Sequence, residues 1–324
     1  MKKVIATALF KVNDLYKGVN VTSSSKNNMD IYLRNSFVSL YSAKINNPDA
    51  DAVLIINYDI DEQEKKIFYQ NGIQIKKLNE YIFKFPDTFK WTPAFFKLDA
   101  LNYLCDNYDL ICVLDTDTIF VDKCDYMWKE AEDALLVFDV DYSLESPKRL
   151  LTNKIAKQYF NIKTNINHWG GEILVGTSKR ISNIINECTK VYEKIIPYIN
   201  DIDESFGQEA LLSIAIENSN IKVERANKYC MRYWTRRYYL VDTNFNNIPV
   251  WHLPAEKDCG LLDIYTKIIK DNKLPNKSYL GRKLFLRKKM GYYSKFRYYS
   301  KLLFLKIRNR KSINFSKKTG WIDK

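Results

Sequence analysis

Apolar and polar positions change spacing in a regular order along the chain. Residues 4–10 are a short apolar run that reads as a first strand. Residues 13–28 are polar and read as a loop beside the site which that strand borders. In residues 30–44 the apolar positions 31, 33, 37, 38, 40 and 41 follow a helical pattern, stopped by Asn46, Asn47 and Pro48. Residues 52–57 form a second buried strand, 61–71 a charged helix ending at Gly72, and 73–78 a third strand. Residues 93–104 read as a helix with Pro93 in its first turn, and 110–114 (Leu-Ile-Cys-Val-Leu) as a strand buried on both faces. Beyond it, strands are expected at 134–138, after the glycine pair within 167–176, and at 221–224, and helices at 151–160, 179–198 and 210–217. Strands alternating with helices predict right-handed βαβ units. The fold class is therefore α/β, a mostly parallel sheet flanked by helices.

The strand at 110–114 runs into Asp115-Thr116-Asp117 and then a second apolar stretch, Thr118 to Val121. In an open α/β sheet, ligands bind at the carboxyl edge of the strands. On an extended backbone residues i and i+2 share a face, so both carboxylates are expected to address one site. Paired hard oxygen donors suit Mg²⁺ or Mn²⁺ carrying phosphates. Two chemistries use such a pair. One is the DxD metal motif of GT-A glycosyltransferases. The other is the first motif of haloacid-dehalogenase-type phosphatases, with Asp115 as nucleophile. The alternative without chemistry is an Asx turn at a strand end. The phosphatase reading needs a motif near the N-terminus and a further acidic motif downstream; residues 1–114 precede Asp115, and no Asp-Asp or Gly-Asp-x-x-x-Asp follows. A nucleotidyltransferase would want a Gly-rich loop after the first strand, which residues 7–17 lack.

Other chemistry-bearing residues are few. Gly170 and Gly171 lead into the strand at 167–176, where adjacent glycines permit positive φ and close approach to a ligand. The two histidines, His168 and His252, are each available to complete a metal site. The acids around Asp201 to Glu209 precede a helix, where most serve capping and dipole chemistry. The six cysteines include no CxxC pair, which favours free thiols in a reducing compartment. No apolar run approaches the ~20 residues of a membrane-spanning helix. Lys11, Asn13 and Asp14 cut short any signal-like start.

Charge separates the chain into two regions. From Arg282 onward lie fifteen of the 51 Lys/Arg and one of the 38 Asp/Glu, a net of +14. The preceding residues hold 36 basic and 37 acidic groups, so the overall +13 belongs to the tail. There Tyr292, Phe296, Tyr299, Leu303 and Ile307 make one helical stripe, flanked by Lys295, Arg297, Lys301, Lys306, Arg308 and Arg310. A basic amphipathic helix suits an anionic membrane surface. Nucleic acid is the competing partner, since basic-aromatic patches also grip phosphates and bases. Placement of the charge at one terminus, behind a metal-site region, favours the membrane. The expected division is a catalytic domain at 1–260 and a helical, basic membrane-association region at 261–324.

The order of motifs resembles the family 8 glycosyltransferases, retaining enzymes that include bacterial lipopolysaccharide galactosyl- and glucosyltransferases and glycogenin-like proteins. Phe96-Lys97-Leu98 followed by Ile111-Cys112-Val113-Leu114-Asp115-Thr116-Asp117-Thr118 is similar to that family's lysine helix and YLDxD strand. Gly207-Gln208-Glu209-Ala210-Leu211-Leu212 is similar to its DQDxLN segment, and Trp251-His252 with Lys257 to its HYxGxxKPW segment. The resemblance covers roughly residues 1–260 and implies a GT-A, Rossmann-like fold. It implies Asp115, Asp117 and His252 as ligands of Mn²⁺ or Mg²⁺, with Asp115 also near the ribose. It implies Thr7 and Ala8 beside the nucleotide base, and Lys97 and Lys257 near the diphosphate. Gln208, with Glu209, would lie on the sugar face opposite the leaving group. Where the family has Asn-Ala/Ser-Gly, this chain has Trp169-Gly170-Gly171-Glu172, a point of similarity to blood-group-type transferases. Gly170, Gly171 and Glu172 are expected to contact the donor sugar, with Glu172 a further far-face carboxylate. The implied activity is transfer of a hexose from a UDP-sugar to a lipid-linked or cell-surface glycan, on the cytoplasmic face of a membrane.

Overall fold

The computed structural model describes residues 1–12, 28–235, 247–284, 300 and 303. Its strands are β1 (Lys3–Leu9), β2 (Ala50–Ile56), β3 (Ile73–Lys77), β4 (Leu110–Leu114), β5 (Thr118–Phe120), β6 (Leu135–Asp139), β7 (Trp169–Thr177), β8 (Val223–Arg225), β9 (Cys230–Arg232) and β10 (Val250–His252). Its helices are α1 (Asn28–Asn46), α2 (Glu62–Gln70), α3 (Thr92–Cys105), α4 (Asp125–Ala131), α5 (Pro147–Phe160), α6 (Ser178–Ile195), α7 (Gln208–Glu217), α8 (Gly260–Asp271) and α9 (Lys277–Lys283). A seven-stranded sheet has the order β3-β2-β1-β4-β7-β6-β8, and β5-β10-β9 form a second, small sheet.

The main sheet is mostly parallel, as the alternation of elements predicts. β4 is buried on both faces: Ile111 and Val113 enter the core under α3, α6 and α7, while Leu110, Cys112 and Leu114 enter the core beside α4. β7 departs from the parallel expectation by running antiparallel to both β4 and β6. It starts at the edge where β6 ends, Trp169 facing Asp139, so α5 does not carry the chain back across the sheet. The reversal matters for function. It brings the first residues of β7, Gly170 to Glu172, to the carboxyl edge of β4, where the Asp115 N–H donates to the Glu172 carbonyl at 3.0 Å.

α1 is less amphipathic than its six apolar positions suggest, because it also buries Asn35, Ser36, Ser39 and Ser42. Several of these grip β5. Ser39 and Thr118 hydroxyls lie 2.7 Å apart, Ser42 Oγ accepts the Phe120 N–H at 2.9 Å, and Asn46 Nδ2 donates to the Phe120 carbonyl at 3.1 Å. The strand leaving Asp117 is thus pinned to the helix on its far side.

Residues 261–284, grouped with the tail in the sequence reading, pack here: Leu261, Ile264, Ile268, Leu280 and Leu284 share a core with Leu33, Phe37 and Leu40 of α1. Of the proposed tail stripe, Leu303 is helical and exposed; Tyr292, Phe296, Tyr299 and Ile307 lie outside the described residues. So do residues 13–27 and 236–246. All six cysteines are free thiols, as expected.

Candidate metal centre

β4 ends at Leu114, and Asp115-Thr116-Asp117 turns the chain from the main sheet into β5. The two carboxylates converge because of this turn, not along one extended strand. The Thr118 hydroxyl donates to the Asp115 carbonyl at 2.9 Å and holds the turn closed. β10 then pairs antiparallel with β5, setting His252 opposite Thr118. His252 Nε2 lies 3.2 Å from Asp117 Oδ2 and 3.6 Å from Asp115 Oδ2. Ligating atoms of Asp115, Asp117 and His252 fall within 4.8 Å of one another, the one such group of three among the described residues. His168, the other histidine, stands elsewhere, hydrogen-bonded to Thr152 and 3.4 Å from Glu209.

Each acid also holds a lysine. Lys97, from α3, pairs with Asp115 and donates to the Gly171 carbonyl at 2.7 Å. Lys257 Nζ, just after β10, lies 3.0 Å from Asp117 Oδ2. Burial raises the Asp117 carboxyl, but Lys257 and His252 outweigh it and hold the group well below the usual carboxylate range. Asp117 Oδ2 is nevertheless buried without a well-aligned hydrogen bond. Two carboxylate oxygens and an imidazole nitrogen, one carboxylate partly open to solvent, form a donor set that fits Mn²⁺, or Mg²⁺ through its oxygens.

The glycine pair acts through space rather than through φ. Both glycines sit inside β7, and among the described glycines only Gly72 has positive φ. A Cβ on Gly171 would meet Gln208 Oε1 and stand 2.9 Å from Lys97 Nζ; one on Gly170 would meet the Glu172 carboxylate. What fills the space left by the missing side chains is therefore Gln208, Lys97 and Glu172. Gln208 and Glu209 open α7. Gln208 lies over β7 beside Lys97, close to the acids. Glu209 belongs to a neighbouring cluster: Lys148 Nζ at 3.0 Å, His168 Nε2 at 3.4 Å and Arg232 Nη2 at 3.5 Å. Burial raises the Glu209 carboxyl, while Lys148 and His168 outweigh it and hold the group below its ordinary range. Glu172 is fully buried and pairs with the same Arg232.

Thr7 and Ala8 lie at the end of β1, Thr7 opposite Leu114. Thr7 is buried with its hydroxyl unpartnered; Ala8 is half-buried. Beyond them the Phe10 ring contacts Tyr81 at 5.3 Å and Phe96 at 5.1 Å. The sequence reading missed Arg232, Lys148 and this aromatic group. Arg232 lies in a run rich in Tyr and Arg, Tyr229 to Tyr239, that by itself points to no chemistry, and Lys148 carried no local signal. The chain matches no protein-family model, and no curated protein matches it in sequence.

Proposed function

We propose that this chain is a GT-A glycosyltransferase of the family 8 kind, moving a hexose from a UDP-sugar to a lipid-linked or cell-surface glycan acceptor with retention of configuration. The observation that carries the reading is the Asp115–Asp117–His252 group at the carboxyl edge of β4, flanked by Lys97 and Lys257. Beside the two acids stands an imidazole rather than the further carboxylate that a phosphatase would use.

In the transfer, the bond between the anomeric carbon and the diphosphate oxygen breaks, and negative charge builds on the departing diphosphate. A divalent cation held by Asp115, Asp117 and His252 would neutralise part of that charge. Lys97 and Lys257, fixed in place by the two acids, add two cations next to it. Gln208, whose amide fills the space left by Gly171, would steady the electron-poor sugar ring. Glu209 is already matched by Lys148 and Arg232, so its part is to hold this wall of the site. Thr7, Ala8 and Phe10 border the place for the base, at the end of the strand next to Asp115. The basic tail from Arg282 keeps the enzyme on the anionic inner face of the membrane near its acceptor.

The test is calorimetric titration with UDP in the presence of Mn²⁺, Mg²⁺ or EDTA, on wild type and Asp117→Asn. Binding that requires the cation and is lost in the variant supports the reading. Absence of UDP binding under every condition sinks the UDP-sugar form of it. Flotation with anionic vesicles, set against an oligonucleotide shift, checks the partner of the tail.

A further inference from the structure

Glu172 sits where a donor-sugar contact was expected, yet it has no exposed surface. Its carboxylate folds back over Gly170, where any side chain larger than hydrogen would collide with it. Two groups face it. Arg232 forms an ion pair with Oε1, and His252 Nδ1 lies 3.7 Å from the same oxygen. Neither Glu172 oxygen makes a well-aligned hydrogen bond, and His252 Nδ1 is buried without one. The other ring nitrogen, Nε2, points to Asp115 and Asp117. The Glu172 backbone carbonyl also receives the Asp115 N–H. One residue therefore touches two of the three candidate ligands, one through its main chain and one through its side chain. Arg232 is tied to the same unit: it is the register partner of His252 on β9, and the Tyr233 N–H donates to the His252 carbonyl at 2.8 Å.

We infer that Glu172 is a positioning residue of the divalent-cation centre and does not contact sugar. A histidine that binds metal through one nitrogen needs its other N–H held by an acceptor, which fixes ring orientation and tautomer. Glu172 is that acceptor. With a cation held by Asp115 and Asp117, a small rotation of ring or carboxylate would close the 3.7 Å gap to a hydrogen bond and leave the Nε2 lone pair for the metal. Arg232 faces the buried carboxylate as its counter-charge, and through Glu209, 3.5 Å away, it joins the metal side of the site to the wall carrying Gln208. The inference rests on the cation half of the proposed function and not on UDP or any sugar.

With two histidines in the chain, ¹⁵N-histidine labelling gives two imidazoles, and His252→Gln assigns them. With diamagnetic Zn²⁺ bound as a stand-in for Mn²⁺, His252 is expected to carry its proton on Nδ1. The second probe is Mn²⁺ alone, titrated by electron paramagnetic resonance. Replacing Glu172 and Arg232 together by Met removes the acceptor without stranding its cation, and circular dichroism checks that the variant is folded. It is expected to weaken Mn²⁺ binding 10–100-fold, the usual effect of losing such a partner, and to cost nothing further in a His252→Gln background. A wild-type proton on Nε2 overturns the assignment. So does unchanged Mn²⁺ affinity in the double variant, or an equal loss with and without His252. A chain that binds Mn²⁺ but no UDP leaves this inference standing and removes the UDP-sugar form of the transferase; one that binds no Mn²⁺ overturns this inference.

Discussion

Asp117→Asn should destabilise the metal-free protein, by an amount that the burial of its partner sets. The Asp117 side chain is 2% exposed and that of Lys257 11%. Neutralising Asp117 takes the carboxylate away from the nearly dry Lys257, whose ammonium among the described residues also stands 5.7 Å from the Tyr32 ring. A cation–π contact returns about 0.5–1 kcal/mol. Removing one partner of a buried ion pair costs about 3–5 kcal/mol, and the residual exposure of Lys257 places the loss near the lower end, roughly 3 kcal/mol. For a chain this long that is a fall in Tm of about 4–5 °C. Scanning calorimetry in EDTA reads it directly. Adding Lys257→Met should recover most of the loss, because neither charge then remains buried alone. With Mn²⁺ and UDP at about a hundred times their dissociation constant, wild type should gain ~2.7 kcal/mol and Asp117→Asn nothing. A single variant as stable as wild type in EDTA, or a double variant less stable than the single, would refute the reasoning.

Three further outcomes follow from other parts of the molecule. Asp99, buried on α3 with one oxygen accepting the Ile82 N–H at 2.6 Å and the other unpartnered, has its carboxyl pushed by burial up to about 6. The folded state then holds a proton that the unfolded chain releases near pH 4, so stability falls as pH rises from about 4 to 6. Asp99→Asn should flatten that slope and be more stable at neutral pH by up to about 3 kcal/mol, checked by urea denaturation at several pH values. Gly171→Ala should fold, because its Cβ meets the movable ends of Gln208 and Lys97, yet reduce UDP-sugar hydrolysis about tenfold or more by displacing both. A thiol reagent should reach Cys105 and Cys259, which are half-buried, well before the buried Cys112, Cys124, Cys188 and Cys230; all six should react in denaturant.

The elements that could be read locally are those whose period is set by their own burial. β4 is five apolar residues with both faces covered, and its bounds in the sequence and in the structure coincide. α3 was marked by Pro93 near its start, and α7 by the acidic stretch that opens it. α4 was not, because seven residues of mixed polarity carry little signal of their own, and the helical reading of 261–324 did not separate α8 and α9, which pack on α1, from the tail.

The candidate site divides in the same way. Asp115 and Asp117 are neighbours in sequence, and their residue type and placement after a buried strand were enough to single them out. His252, Lys97, Lys257 and Gln208 were named through resemblance, and tertiary structure decided that they converge. β10 had to pair with β5, and α3 had to pack beside β4. The antiparallel course of β7 could not be read from its apolar run, since a strand buried on both faces looks the same in either direction. That direction alone brings Glu172 under His252 and Asp115, and register on β9 alone brings Arg232 to Glu172. The sequence by itself determined which residue types were available and which strands were buried. Strand direction and cross-strand register, set by packing between distant segments, decided which charges meet.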